Sequence, residues 1–353
     1  MKYNNDTMCP LPFMAMHDSS PDAFSPCCHI DHTDFKKYTN IKEYLQSKEL
    51  KQLKENLTNG IKDKRCNYCW KTEELKMSSL RQQALNSERV NDLQAPVMKQ
   101  IHIQTGYTCN ISCMMCSPGV SSNLGQLWRN VSLEKYHNWW KGPVLAYRDD
   151  LENYIKQNLH EIKYIDASGG EPFYNKKYLA LLDYLLENNA NKHITLFVTT
   201  NGTQLNDRLC KKLLKFKKVV IMTSIDGIGA VNDYIRWGSN FSQVEKNFIK
   251  ITKLFDHTIA TCVSALNVHR YHEIKEFATA YDSQIDYVMV KDIPALNPCN
   301  VPDSLKADVC HEHKEVSSKT GNKELLSSYI RLWDKQRGIK ITDYMPEFKV
   351  IIK

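Results

Sequence analysis

Three cysteines lie within eight residues in the stretch CNISCMMC (109–116), at the spacing C-x3-C-x2-C. Clustered thiols in a reducing compartment are ligands for a metal or a cluster more often than they are disulfides. A structural zinc site takes four ligands, usually as two close pairs, and no fourth Cys or His stands beside this triplet. Three thiolates around a cubane iron–sulfur cluster would instead leave one iron free to bind another molecule. The triplet therefore predicts a cluster with an open iron.

A second group of cysteines precedes the triplet. It consists of Cys9, Cys27, Cys28, Cys66 and Cys69. Four thiolates would close a cubane, but two cysteine pairs also suit a structural zinc ion, and both interpretations stay open. Two later cysteines, Cys210 and Cys262, fall in a predicted helix and a predicted strand and are interpreted as small core residues.

The elements that must position the triplet begin near residue 97, where short β-branched runs alternate with amphipathic helical stretches. The six runs span residues 97–105, 162–168, 194–200, 219–225, 259–265 and 285–291. Each βα unit takes roughly 25 to 40 residues, which suits parallel strands joined by helical crossovers. The pattern predicts an α/β fold whose sheet is open or partly rolled into a barrel, with the triplet directly after the first strand.

Two of the predicted crossover helices have a clear apolar face. In the stretch 178–188 that face is formed by four leucines, Leu179, Leu182, Leu185 and Leu186. In the stretch 241–255 it is formed by Val244, Phe248, Ile251 and Phe255. Apolar residues at this spacing are typical of helices that pack on a sheet.

Residues 1–95 differ from the rest of the chain, because polar residues dominate and strand-like runs are few. An amphipathic helix is predicted over 41–57, and Asn59-Gly60 marks its end. A module of this kind has a thin core, which a metal or cluster would stabilise. The sequence predicts extra helices over 117–161 and assigns no role to residues 296–353.

Composition and charge limit the classes of function. Hydrophobic residues make up 42% and charged residues 25%, as in globular proteins. No apolar run is long enough to span a bilayer, and the N-terminus lacks the features of a signal peptide, so a cytoplasmic location is expected. The formal charge is +7. The densest basic run, 211–218, has leucines at helical spacing and is interpreted as a solvated helix face, so nucleic acid binding is not indicated.

The triplet, together with SGGEP at 168–172, resembles the radical S-adenosylmethionine (SAM) superfamily, whose glycine-rich motif is GGEP. The resemblance implies a partial (β/α)6 barrel and a [4Fe–4S] cluster held by Cys109, Cys113 and Cys116. It also implies that the fourth iron chelates the amino and carboxylate groups of SAM. Met115 departs mildly from the family pattern, since an aromatic residue is usual there.

Further stretches at predicted strand ends match the same family. TNG (200–202) resembles the polar end of the fourth family strand, and the segment from 224 to 247 resembles the S-x-D-G segment of the peptide-modifying branch. The resemblance implies that Glu171 meets the methionine ammonium group and that Arg236 meets a carboxylate of SAM or substrate. The residues implied in cofactor binding are Gly169, Gly170, Glu171, Pro172, Asn201, Ser224, Asp226, Arg236 and Asn267.

The N-terminal cysteines resemble the SPASM or twitch module, which carries an auxiliary [4Fe–4S] cluster in many members of the superfamily. That module usually follows the barrel, whereas here it precedes it. The resemblance favours Cys27 over Cys28 as the fourth ligand beside Cys9, Cys66 and Cys69. The expected organisation is an auxiliary-cluster module over 1–95, a radical SAM core over 96–295 and a C-terminal extension over 296–353.

The implied reaction is reductive cleavage of SAM, with an electron from a reductase or a flavodoxin-type donor. The resulting 5′-deoxyadenosyl radical would abstract hydrogen from the substrate, and the S-x-D-G segment favours a peptide or protein side chain. An enzyme acting on a small molecule, such as a sugar or nucleotide, is the first alternative. A non-catalytic iron–sulfur or zinc protein is the second.

Overall fold

The computed structural model describes residues 6–20, 23–31, 38, 40–87, 97–129 and 144–352. Its strands are β1 Ala15–Ser20, β2 Ala23–Ser25, β3 Gln100–Gln104, β4 Ser112–Cys113, β5 Tyr164–Ser168, β6 Thr195–Thr200, β7 Lys218–Ser224, β8 Arg236–Trp237, β9 Asp256–Val263 and β10 Gln284–Met289. Eight of them form one sheet with the order β10-β9-β7-β6-β5-β3-β1-β2, and strands β4 and β8 form a separate pair.

The six strands predicted from the β-branched runs are all present, as β3, β5, β6, β7, β9 and β10. They lie side by side in chain order, and each neighbouring pair is parallel. Successive crossovers of one hand produce this order, which brings all six carboxyl ends to one edge of the sheet. The prediction of an α/β fold with a mostly parallel sheet is therefore confirmed.

Helices connect and cover the strands. Within the described residues they are α1 Leu11–Met14, α2 Ile41–Leu45, α3 Lys48–Thr58, α4 Asn67–Glu74, α5 Leu80–Leu85, α6 Ser122–Leu127, α7 Asp149–Gln157, α8 Lys176–Glu187, α9 Asp207–Leu213, α10 Ala230–Ile235, α11 Phe241–Leu254, α12 Tyr271–Ala280, α13 Lys314–Ser317 and α14 Lys323–Arg337. No helix in this part of the chain is long and apolar enough to cross a bilayer.

The predicted crossover helices are found, but the buried face of α8 is rotated from the expected one. Leu182 and Leu185 are buried as predicted, whereas the other two leucines of the predicted face are only partly buried. Tyr178 and Leu181 take the inner positions instead. The leucine pattern spans more than one helix face, so docking against the sheet decides which part of it is buried.

The N-terminal region contributes to the main sheet, although its sequence has few strand-like runs. Strand β1 pairs in parallel with β3, with His17 opposite His102, and β2 pairs antiparallel with β1. Met16 and Phe24 of these strands are buried in the same core as the inner residues of β3, β5 and β6. The expected boundary at 95/96 lies outside the described residues.

The helix predicted over 41–57 is two helices, α2 and α3. The break falls at Ser47, whose hydroxyl accepts the backbone N–H of Leu50 and so caps α3. Helix α3 ends at Thr58 with Asn59 as its C-cap, and Gly60 follows at φ +77°, a left-handed conformation that favours glycine. The predicted end of the helix is thus confirmed.

Helix α14, in the C-terminal extension, forms a second hydrophobic core. Tyr329 and Trp333 of this helix pack in one buried cluster with Met114 from the cysteine triplet. Trp128, just after α6, meets Trp333 edge to face with ring centroids 4.6 Å apart. The extension therefore packs beneath the cysteine loop.

Candidate active site

A cavity of about 500 Å³ opens at the carboxyl ends of β3, β5, β6 and β7. This edge of a parallel sheet is where α/β proteins collect ligands. Eight of the residues predicted from the sequence line the cavity, namely Cys109, Cys113, Cys116, Gly169, Gly170, Asn201, Ser224 and Arg236. The predicted residues Glu171, Pro172, Asp226 and Asn267 are not part of this lining. The structure thus brings the triplet and four strand ends to one chamber.

The middle of the cysteine loop is held by a two-stranded sheet. Strand β4 pairs antiparallel with β8, so that Cys113 lies opposite Arg236. The backbone N–H of Met114 donates to the carbonyl of Ile235 at 2.9 Å, which extends the pairing by one residue. This sheet fixes a thiol and a guanidinium side by side at the cavity wall.

The two serines that open α6 fix the rest of the loop. The Ser121 hydroxyl donates to the Ile111 carbonyl at 2.8 Å, and it also caps α6 by accepting the N–H of Leu124. The Ser122 hydroxyl accepts the N–H of Cys109 at 3.1 Å. The loop is therefore positioned by hydrogen bonds between these serine hydroxyls and the loop backbone.

Burial shapes the chemistry of the three thiols. Burial raises the pKa of Cys109 and Cys116, and it raises the pKa of Cys113 to about 12. Arg236 opposes this rise in all three cases through its positive charge. Without a metal these thiols stay protonated near neutral pH, and coordination would release the protons.

Arg236 is held at the wall by a buried carboxylate. Its Nη1 lies 2.6 Å from Oδ2 of Asp226, and the other carboxylate oxygen accepts the N–H of Cys262 at 2.7 Å. Burial alone would lower the pKa of Arg236, but the neighbouring Cys113 and Asp226 raise it above its usual value. The Arg236 Nε is buried without a hydrogen-bond partner among the described residues. This nitrogen is therefore a donor that the described contacts leave unsatisfied.

Asn267 does not line the cavity and instead contacts the backbone around Asp226. Its amide donates to the carbonyl of Asp226 at 2.8 Å and to that of Cys262 at 3.0 Å. Its Oδ1 accepts the N–H of Ser264 at 2.7 Å. The described contacts of this side chain are therefore with the chain itself, and they fix the ends of β7 and β9.

The glycine pair allows the loop after β5 to approach the loop after β3. Gly169 has φ +125°, which L side chains rarely adopt. A Cβ on Gly170 would lie 2.3 Å from the Thr108 carbonyl oxygen. The Gly170 backbone N–H donates to the Gly106 carbonyl at 2.8 Å. No larger residue fits at Gly170, so this wall of the cavity is bare backbone.

Glu171 is fully buried, and its described contacts are with the chain itself. Its Oε1 accepts the Thr200 hydroxyl at 2.7 Å and the N–H of Phe173 at 3.1 Å, and its Oε2 accepts the N–H of Asn201 at 2.7 Å. Burial raises the pKa of Glu171, while these three donors oppose the rise. Pro172 begins a short 3-10 turn beside it. In this arrangement the carboxylate joins the ends of β5 and β6.

Asn110 lies inside the cysteine triplet and contacts the predicted residue Asn201, although no role was predicted for Asn110 itself. The amide of Asn201 donates to Oδ1 of Asn110 at 3.0 Å and lies 4.0 Å from the Cys109 sulfur. Asn110 in turn donates to the Thr203 hydroxyl at 2.9 Å. The only sequence signal for Asn110 is its position inside the triplet.

A polar row lies below the cavity on the same face of the sheet. His102 Nε2 lies 2.8 Å from the hydroxyl of Ser168, a cavity residue. The ring of His17 stacks on that of His102 with centroids 3.8 Å apart. Burial lowers the pKa of His102 to about 4, so this imidazole is neutral near pH 7.

The N-terminal cysteines surround a second, much smaller cavity. Four of them line it, namely Cys9, Cys27, Cys66 and Cys69, and Cys28 is exposed and outside the lining. Burial raises the pKa of Cys9 and of Cys66 to about 12. Arg81 also lines this cavity, with its guanidinium 2.6 Å from Glu73 and 4.8 Å from the ring centroid of Trp70. Among the described residues, no three His, Cys, Asp or Glu side chains converge as they would around one metal ion.

Comparisons with known proteins agree with the position of the motifs. The family described as "Radical SAM superfamily" matches residues 103–282. Mycofactocin maturase MftC of Mycolicibacterium smegmatis is 24% identical over 182 residues, which are 51% of this chain and 41% of that protein. This chain thus spans about two fifths of the length of that curated relative.

Solved structures are also similar to parts of the chain. One is native anSMEcpe with bound AdoMet, with 20% identity and a TM-score of 0.41 over 54% of this chain and 51% of that chain. Another is Streptococcus suis SuiB bound to precursor peptide SuiA. It has 12% identity and a TM-score of 0.41 over 79% of this chain and 67% of that chain.

Proposed function

Because this chain belongs to the radical SAM superfamily and is therefore an enzyme, we propose that Cys109, Cys113 and Cys116 hold its [4Fe–4S] cluster. The family implies both this cluster and SAM. The observation that carries the assignment is the cavity of about 500 Å³ with all three thiols in its lining. Three thiols suit a cubane with one open iron, and the space beside them suits a second molecule. The donor set and the cavity therefore fit the group.

When bound, the cluster and SAM supply a one-electron cleavage that yields a radical able to remove hydrogen from an unreactive C–H bond. The chain provides the setting for that chemistry. The three cysteines bind the cluster, and the Arg236 guanidinium offsets the negative charge of their thiolates. Gly169 and Gly170 give SAM access to bare backbone. Asn201 and Ser224 line the same cavity and are proposed to hydrogen-bond SAM.

Four further residues are proposed to act by positioning these groups. Glu171 fixes the Asn201 backbone, and Pro172 starts the turn that follows it. Asp226 orients Arg236, and Asn267 fixes the backbone of Asp226. Residues that orient a ligand-contacting group often affect the affinity for the ligand nearly as much as that group does. We therefore assign these four to the site without direct contact with SAM.

We also propose that Cys9, Cys27, Cys66 and Cys69 hold an auxiliary [4Fe–4S] cluster in a twitch-like module. These four cysteines line the same small cavity, which supports them as the ligands. Cys28 is exposed and does not line it, so we do not assign Cys28 as a ligand. Four protein ligands leave no open iron, so outer-sphere electron transfer is the simpler role. A structural zinc ion on the same four thiols is the alternative, and it would need these thiols to move closer together, because no three of the described side chains converge as around one metal ion.

Replacing Cys27 by serine is expected to remove the metal of the N-terminal site, whereas Cys28→Ser leaves it bound. The two residues are adjacent in sequence, so the pair controls for general effects on this loop. Iron, sulfide and zinc content per chain, measured after anaerobic reconstitution, checks the result. Loss of metal from the Cys28 variant and not from the Cys27 variant would reverse the assignment.

The proposed substrate is a peptide or protein side chain. A relative that is 24% identical is named a maturase, and the S-x-D-G segment resembles the peptide-modifying branch of the superfamily. A reductase or a flavodoxin-type protein is proposed as the electron donor. A small molecule that binds in the same cavity of about 500 Å³ remains the second candidate substrate.

The first test is reductive cleavage of SAM by the reconstituted protein under anaerobic conditions. We expect methionine and 5′-deoxyadenosine to form when dithionite or reduced flavodoxin is present, and not without reductant. Candidate peptides with deuterated side chains then test the substrate, since transfer of deuterium into 5′-deoxyadenosine marks the C–H bond attacked. A protein that carries the triplet cluster and binds SAM but never cleaves it would contradict the proposal.

A further inference from the structure

The C-terminal helix reaches the cysteine loop through one arginine. Arg337, the last residue of α14, donates from Nη2 to the Ser112 carbonyl at 3.0 Å. It donates from Nη1 to the Tyr234 carbonyl at 2.7 Å. Ser112 belongs to β4, and Tyr234 lies in α10, two residues before β8. One planar fork therefore joins the two segments that carry Cys113 and Arg236.

A second contact from α14 lies one residue beyond Cys113. The Tyr329 hydroxyl donates to the Met114 carbonyl at 2.7 Å, and Tyr329 is fully buried. Tyr234, whose carbonyl Arg337 binds, donates its own hydroxyl to Asp334 of α14 at 2.8 Å. The helix thus bonds the loop on both sides of the paired strands. The contacts with Met114 and Ser112 join residues more than 200 positions apart.

The charge of Arg337 is less compensated than that of Arg236. Arg236 is paired with Asp226, but Arg337 forms no salt bridge with a carboxylate among the described residues. Its guanidinium lies 4.2 Å from the ring centroid of Trp333. The Asp334 carboxylate is engaged by Tyr234 and by the N–H of Ile341. Its bond to the Ser112 carbonyl places this positive charge at the residue directly before Cys113.

We propose that Arg337 is a positioning residue of the cluster site, which holds β4 beside β8 and provides a positive charge that makes the bound cluster easier to reduce. The inference rests on the proposed function, because it needs the cluster on Cys109, Cys113 and Cys116. Reduction adds a negative charge to the cluster, and a nearby cation in a low-dielectric setting stabilises that form. Net charge and hydrogen bonding around a cluster are known to set its potential.

The test compares Arg337→Gln with Arg331→Gln. Arg331 lies on the same helix but is exposed, and its guanidinium bonds Ser327 of the same helix, so its replacement removes the same charge without removing a described bond to the loop. Each variant is reconstituted anaerobically, and the cluster whose EPR signal changes on addition of SAM is titrated reductively. For Arg337→Gln we expect the reduction equilibrium to shift about tenfold toward the oxidised form, which equals about 59 mV. The Arg331 variant should match the wild type.

Arg337→Lys tests the charge of Arg337 separately from its two hydrogen bonds to backbone carbonyls. Lysine keeps the charge but cannot bond both carbonyls in the same planar geometry. We therefore expect a potential near that of the wild type with weaker retention of iron at the triplet. If the glutamine variant does not fold, wild-type retention of iron in Arg337→Lys overturns the positioning role by itself. Wild-type retention and potential in both Arg337 variants would overturn the inference. A wild-type protein with no SAM-sensitive cluster would instead contradict the proposed function itself.

Discussion

Removing the three thiols of the triplet, as Cys109→Ala/Cys113→Ala/Cys116→Ala, is expected to halve the iron content and abolish SAM cleavage. Two cubanes would give about eight irons in the wild type and about four in the variant. Cleavage should fall to the background rate, because the only proposed site for SAM is the open iron at this triplet. Metal and sulfide analysis, EPR of the reduced proteins and quantification of 5′-deoxyadenosine check the result.

Cys210→Ala is the matched control for this prediction. Cys210 is a buried thiol in α9 and belongs to the lining of neither cavity, so iron content and cleavage should stay at wild-type levels. About four irons in the wild type, with zinc retained in the triple variant, would make the N-terminal site structural. It would also remove the proposed electron-transfer role of that site. No iron in any of the proteins after reconstitution would contradict the cluster assignments altogether.

The part of the fold that the sequence predicts well is the part with local signals. The strands from β3 to β10 in the main sheet are β-branched runs between helical stretches, and each was found. Strand β1 has the sequence AMHDSS, whose polar residues hide it from a search for apolar runs. It forms because its backbone can pair with β3, and its partner is more than 80 residues away. No local pattern carries that information.

In the site, too, the sequence identifies residues but not their contacts. The sequence identifies Glu171 and Asp226 as polar residues at strand ends, and both lie next to the cavity region. It does not reveal that the Glu171 carboxylate is bonded by β6, since that depends on how two loops pack. Arg337 and Tyr329 were missed for a related reason. They meet the triplet from the far end of the chain, and nothing near them in sequence marks the contact.

Asp226→Asn is expected to lower the free energy of unfolding by about 3–5 kcal/mol, the usual cost of leaving one partner of a buried ion pair uncompensated. Asp226 is fully buried, and it accepts both Nη1 of Arg236 and the N–H of Cys262. An asparagine can offer only one oxygen to these two donors, and its NH2 group would face the other. The shift in the denaturant midpoint of the reconstituted protein, measured anaerobically, checks this value.

Asp256→Asn is the control, because Asp256 forms an exposed ion pair with Lys218 2.6 Å away. Exposed pairs contribute about 0–1 kcal/mol, so this variant should unfold close to the wild type. Replacing both buried partners, as Asp226→Leu/Arg236→Met, should recover part of the stability, since neither charge is then left alone. It should not recover SAM cleavage, because Arg236 no longer offsets the thiolates at the cavity wall. Equal midpoints for the two asparagine variants would mean that Asp226 is not the anchor of this wall.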